Sequence, residues 1–123
     1  MPFDGFMTKK VSVNIKVNRS AVYETLNYDQ CLKNIEKNKW LRFYVKGNLL
    51  REESQDGIRS LILSHDGNES HPVKVILAEI NNQKYSQDRV AYFRVVLSGV
   101  EDYVTGTGLK KQIPVFEPDL ALQ

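Results

Sequence analysis

Apolar and polar residues alternate strictly near the start of the chain. Val11, Val13, Ile15 and Val17 fall on one side, Ser12, Asn14, Lys16 and Asn18 on the other. A period of two predicts a half-buried strand, because successive side chains of an extended chain point to opposite faces. The period then lengthens. From Ser20 to about Lys37 the apolar residues are Val22, Leu26, Leu32 and Ile35, with Tyr23 and Tyr28 between them. This spacing predicts an interrupted helical region over about 20–38. Ser20 can cap it, with Tyr23 and Glu24 in the first turn, and Asp29 can equally cap a second short helix from Gln30 to Asn38.

Strand chemistry returns at Trp40–Val45, rich in aromatic and β-branched residues. Gly47-Asn48 is expected to bend or bulge this strand before Leu49-Leu50. Residues 51–57, REESQDG, read as a polar connection, and Ile58 to Ser64 as a strand. The segment HDGNESH (65–71) is a turn with Asp66-Gly67 at its tip, a dipeptide that accepts the left-handed backbone of tight hairpins. Val73 to Ile80 is its partner strand, with Pro72 tolerated as the first residue. NNQKYSQD (81–88) is a long polar loop, and Arg89 to Ser98 is the most strand-like run of all. Gly99, Gly106 and Gly108 punctuate the next stretch, and Gln112 to Phe116 is a short last strand.

These elements predict an α+β domain, mainly antiparallel β. The expected architecture is a five- or six-stranded curled sheet, or a small barrel of the oligonucleotide-binding type, with one helical segment. A chain of 123 residues, 41% of them hydrophobic, suits a single core. The domain is expected over 9–116, between a flexible N-terminus (1–8) and a loose tail (117–123). Met7-Thr8-Lys9-Lys10 reads as a natural start, which would make residues 1–6 an upstream extension.

Seventeen basic against fifteen acidic residues give a net charge of +2. That balance does not announce a polyanion partner, so any such binding must come from how the charges are placed. Cys31 is the single cysteine and has no disulfide partner in the chain, as expected of a reducing compartment. No apolar run resembles a signal peptide, and runs such as Val75 to Ala78 are too short to span a bilayer. The sequence thus reads as a soluble cytoplasmic protein. The sequons at Asn18 and Asn68 are then coincidental.

Candidate catalytic groups are quickly weighed. His65 and His71 flank the hairpin turn with Asp66 and Glu69 between them, a spacing that matches no compact metal motif. Gly106-Thr107-Gly108 lacks the Lys-Ser/Thr ending of a phosphate loop, and Glu52, Glu53 and Asp56 cluster in a polar connection with no apolar pocket to separate their acidities. No catalytic constellation, metal site or cofactor is predicted, and the chain is not expected to be an enzyme.

The strand at 40–46 carries the stronger signal. Leu41, Phe43 and Val45 fall on one face, expected to be the core face, and Trp40, Arg42, Tyr44 and Lys46 on the other. Bases of a single strand stack on aromatic rings while Arg and Lys neutralise its phosphates, which is the chemistry such a face offers. The strand at 89–98 repeats it: Ala91, Phe93, Val95 and Leu97 point one way, Tyr92 and Arg94 the other. Lys84, Tyr85 and Arg89 stand just upstream as a rim, and Tyr103 lies in a later loop. Two other uses of this face remain open. The helix could cover Trp40 and Tyr44, with Arg42 and Arg94 paired to acids such as Glu79 or Glu52. The face could also be a subunit interface of a small interaction protein from a phage or mobile element, since aromatic residues and Arg are enriched in interface cores too.

From Ile58 onward the pattern resembles the small single-stranded DNA-binding (helix-destabilising) proteins of filamentous bacteriophages. The residues are SLILS (60–64), DGNES (66–70), HPVKVILAEI (71–80), YFRVVLSGV (92–100) and KKQIPVF (110–116). The resemblance covers a little under half of the chain. It implies an oligonucleotide-binding fold, a homodimer and cooperative binding along single strands with no cofactor. The first 40 residues, with an additional strand and helical segment, depart from that pattern. The expectation is therefore a single-stranded DNA- or RNA-binding module that uses an aromatic and basic strand face.

Overall fold

A computed structural model describes residues 23–78 and 83–119. The strand expected at 11–17, the Ser20 cap and Glu79 lie outside those residues. Glu24–Thr25 forms a two-residue strand, β1, followed by helices α1 (Tyr28–Lys33) and α2 (Ile35–Asn38). Five longer strands complete the described chain: β2 (Arg42–Gln55), β3 (Ile58–His65), β4 (Pro72–Ile76), β5 (Val90–Val104) and β6 (Lys110–Pro118).

The helical segment begins later than the periodicity suggested. Asn27, not Ser20 or Asp29, caps α1, its side-chain oxygen accepting from the Gln30 N–H. Tyr23 to Thr25 is instead extended, because Glu24 and Thr25 pair in parallel with Phe43 and Tyr44 of β2. The helical run breaks at Asn34, whose backbone N–H turns back to the Cys31 carbonyl.

The six strands form one sheet in the order β1-β2-β3-β4-β6-β5, and β5 also pairs with β2. The sheet therefore curls until β5, at one end, reaches β2, next to the other end. Two long strands make this possible. The first half of β2 (Arg42–Asn48) pairs with β5, and residues from Gly47 to Gln55 pair with β3. Likewise β5 pairs with β2 through Val90–Val96 and with β6 through Val95–Val104. Each strand shifts register once, between Leu49 and Arg51 and between Leu97 and Gly99, and such bulges bend a strand and increase its twist. All neighbours are antiparallel except β1–β2 and β4–β6.

Residues 51–55 belong to β2, whereas the sequence read them as a connection. Their polarity is matched by ion pairs along the hairpin: Arg59 to Glu52 at 2.8 Å, and Arg51 to Glu53 at 3.0 Å. The true connection is only Asp56-Gly57, with φ of 53° and 80°. Two left-handed residues in a two-residue loop match the twist of the flanking strands, which is why Asp-Gly serves here. The tail expected from Glu117 is also ordered further: Glu117 and Pro118 extend β6, and Asp119 is buried.

The core lies inside the curl. Phe43 and Val45 of β2, Leu61 and Leu63 of β3, Val73 and Val75 of β4, Val95 and Leu97 of β5 and Phe116 of β6 fill it. Leu26, Tyr28 and Cys31 close it from the helical side, with the Tyr28 hydroxyl donating to the Pro72 carbonyl at 2.9 Å. Burying a side chain such as Phe116 contributes about 1.5–3 kcal/mol. The helices pack towards β5 and β6, and Tyr44 and Tyr92 stay open to solvent. Among the described residues no helix is long and apolar enough to cross a membrane.

Candidate functional site

Alternation in β2 and β5 decides which side chains leave the core. Phe43 and Val45 point in, so Arg42, Tyr44 and Lys46 point out; Val95 and Leu97 point in, so Tyr92 and Arg94 point out. The β2–β5 register sets Tyr44 opposite Arg94 and Lys46 opposite Tyr92. The two tyrosines are thus diagonal neighbours on adjacent strands. Their rings meet edge to face, centroids 6.2 Å apart at 77°, and they are 44% and 60% exposed.

Around this pair the surface is concave. A cleft of about 330 Å³ is lined by Thr25, Tyr44, Lys46, His65, Asp66 and Tyr92. A second, of about 290 Å³, lies between Lys84, Tyr85 and Arg89 of the β4–β5 loop and Tyr92. A smaller one of about 170 Å³ shares Lys46, Asp66 and Tyr92. Tyr92 borders all three, so the clefts lie around this one ring, between β1 and the β4–β5 loop.

The sequence-predicted cations do not all stand equally free. Arg42 Nε donates to Asp119 Oδ2 at 2.7 Å, and the Tyr23 hydroxyl donates to the same oxygen. Asp119 is itself only 5% exposed at its side chain, so this is a structural knot at the end of the sheet. The hydrogen bond to Asp119 raises the pKa of Arg42, while burial and then Asp119 raise that of the Tyr23 phenol. Lys46 faces Asp66 at 3.7 Å. Arg94 is exposed and lies 5.9 Å above the Tyr23 ring. Lys84 and Arg89 are exposed. The acidic partner of Arg42 is therefore Asp119, and Glu52 pairs with Arg59, which depresses the Glu52 pKa through their hydrogen bond.

Two predicted residues sit differently. Trp40 is 61% exposed but precedes β2 and is left-handed at φ 68°, so the strand alternation does not extend to it. Its N–H is tied to the Leu97 carbonyl at 2.7 Å. Leu41, expected in the core, is 48% exposed for the same reason. Tyr85 is half-buried against Phe93, ring centroids 5.6 Å apart, so it props the rim more than it offers a free face.

Thr25, His65 and Asp66 line the main cleft and were not predicted as site residues. Asp66 was legible only as a turn residue; nothing local in the sequence says that the turn folds beside Lys46, where the Asp66 N–H donates to the Lys46 carbonyl at 3.0 Å. Among the described residues no group of three or more His, Cys, Asp or Glu is placed to hold a metal ion.

No protein-family model matches the chain, no curated protein matches it in sequence, and no solved structure matches it.

Proposed function

We propose that this protein is a single-stranded nucleic-acid-binding module without catalytic activity, and that β2 and β5 carry its binding face. One observation carries the reading: two exposed tyrosines on adjacent strands, beside clefts bordered by Lys46, Lys84 and Arg89, with Arg94 exposed opposite Tyr44. A folded domain has little reason to leave paired rings in water, whereas unpaired bases stack on such rings whatever their sequence. A curled sheet in which the first long strand pairs with both the second and the fourth is also the arrangement expected of an oligonucleotide-binding barrel. The resemblance of residues 58–116 to phage single-stranded DNA-binding proteins points the same way.

Titration of a labelled oligo-dT by fluorescence anisotropy tests the proposal. Lys84, Arg89 and Arg94 would each neutralise about one phosphate, so log K should fall with log salt at a slope of about −2, near −0.7 per phosphate on a single strand. Trp40 emission, followed in the same titration, reports whether the strand reaches that ring. No binding at low salt would refute the reading.

Self-association fits the same molecule. Val104 and Leu109, both exposed, flank the turn between β5 and β6 and present apolar surface away from the tyrosines. A dimer joined there would leave the binding face open and would survive high salt in size-exclusion mass measurements. A dimer whose formation instead blocks oligonucleotide binding would make the strand face an interface between subunits.

A further inference from the structure

We infer that the cleft beside Tyr44 and Tyr92 receives one unstacked base, and that Asp66 makes guanine the preferred base there. The inference rests on the single-strand-binding reading and adds a base preference to it.

The cleft has an odd composition for a surface that only follows a phosphate backbone. Its walls are the two tyrosines, its rim holds Lys46, and one carboxylate, Asp66, faces into it. A carboxylate repels phosphate, so the backbone of a bound strand must keep clear of this spot and run by the cations on either side. What enters beside Asp66 is then a base. The turn itself does not require the charge. Asp66 is left-handed at φ 54°, a conformation that Asn accepts as readily as Asp.

The carboxylate is also held in position. Its backbone N–H is tied to the Lys46 carbonyl, Oδ1 lies 3.7 Å from Lys46 Nζ, and Oδ2 lies 3.3 Å from His65 Nε2. His65 is buried, and its Nε2 also lies 3.1 Å from the Leu26 carbonyl. Two oxygens around Nε2 place the proton on that nitrogen, leaving Nδ1 as an acceptor without a partner. That N–H donates to the Leu26 carbonyl, which fixes the ring beside Asp66. Half of the Asp66 side chain remains exposed, so each oxygen keeps lone pairs for a ligand.

A fixed acceptor pair next to an aromatic wall discriminates among bases by their Watson–Crick edges. Guanine offers two adjacent donors, N1–H and N2–H, which meet both carboxylate oxygens side by side in charge-assisted hydrogen bonds. Adenine and cytosine offer one amino group beside an acceptor. Thymine and uracil offer one N–H between two carbonyls, both repelled by the carboxylate. The order expected at this position is guanine first and thymine or uracil last.

The test compares a short oligo-dT with the same oligomer carrying one central guanine, by competition anisotropy on the full-length protein. The guanine-containing strand should bind roughly tenfold tighter or more, the range of a good bidentate contact. Asp66→Asn keeps the left-handed turn and should bring the two strands within about threefold of each other. Equal affinities in the wild type, or a guanine preference that survives in Asp66→Asn, would overturn the inference while single-strand binding stands. Failure of both strands to bind at low salt would overturn the underlying reading together with it.

Discussion

Truncating Tyr92 to alanine separates stacking from charge. Tyr92 is 60% exposed and meets Tyr44 only edge-on. About four-tenths of its surface is out of water, roughly 80 Å² of the area such a ring can bury, so at about 25 cal/mol per Å² the loss of stability is at most about 2 kcal/mol. The fold should therefore survive. The loss of binding is set by a different term, since a base stacked on an aromatic ring contributes about 1–3 kcal/mol, or about 5- to 150-fold in affinity. Tyr92 carries no charge, so the salt slope should stay at its wild-type value. Lys84→Ala and Arg89→Ala should do the reverse, each lowering the slope by about 0.7 and so losing most affinity at low salt and least at high salt. Anisotropy titrations with oligo-dT between about 50 and about 200 mM salt resolve both terms. Wild-type affinity in a folded Tyr92→Ala protein, or a change in its slope rather than its intercept, would refute the stacking role.

Three further outcomes are expected from the packing. Gly47→Ala should destabilise by about 1–3 kcal/mol or more, because a Cβ there would lie 2.1 Å from the Ser64 carbonyl oxygen and only the paired backbone could give way; urea unfolding measures it. Asp119→Ala removes the shared acceptor of Arg42 and Tyr23 and should cost about 1–3 kcal/mol, read as a lower Tm, while oligonucleotide binding holds or strengthens as Arg42 is released. Burial pushes the Cys31 thiol up to about 11 from an ordinary value of 9.0. The unfolded chain then ionises first, so stability is intact below about pH 9 and falls as the pH rises towards 11. Cys31→Ala should flatten that part of the pH profile, and an unchanged profile would show that the thiol does not set it.

Local pattern made much of this fold legible. The strands around Phe43, Leu61, Val73, Val95 and Ile113 all show period-two alternation or compact apolar runs, and Asp66-Gly67 marks its turn by a dipeptide suited to left-handed backbone. The misread boundaries share one cause. Residues 51–55 are polar yet extended because they pair with the next strand across a tight hairpin, where the Arg59–Glu52 ion pair can replace a buried face. Glu24–Thr25 is a strand because β2 lies alongside it, and Asp119 is held where Arg42 and Tyr23 converge on it. Each of these depends on a partner outside its own segment, seven residues away for Glu52 and Arg59 and far more remote for the other two. Trp40 was misplaced for a different reason: a left-handed residue interrupts alternation, and a bulky side chain gives no warning of it.

The candidate site depends on the same long-range closure. Read one strand at a time, Tyr44 and Tyr92 are two isolated aromatics on two polar faces. They become a single platform because β5 returns to pair with β2 in a register that sets Lys46 opposite Tyr92. That pairing is available because β2 bends after Leu49 and hands its second half to β3, leaving its first half free for β5. Gly47 sits at the handover, where β2 approaches Ser64 of β3 too closely for any side chain. One residue earlier in β2, the Asp66 turn closes over Lys46. A substitution that forces β2 and β3 apart at Gly47 should thus disturb binding through geometry, by shifting Asp66 and Lys46 relative to Tyr92. Gly47→Ala should lose guanine preference before it loses affinity for oligo-dT, because a two-point contact to a base edge tolerates less displacement than stacking does.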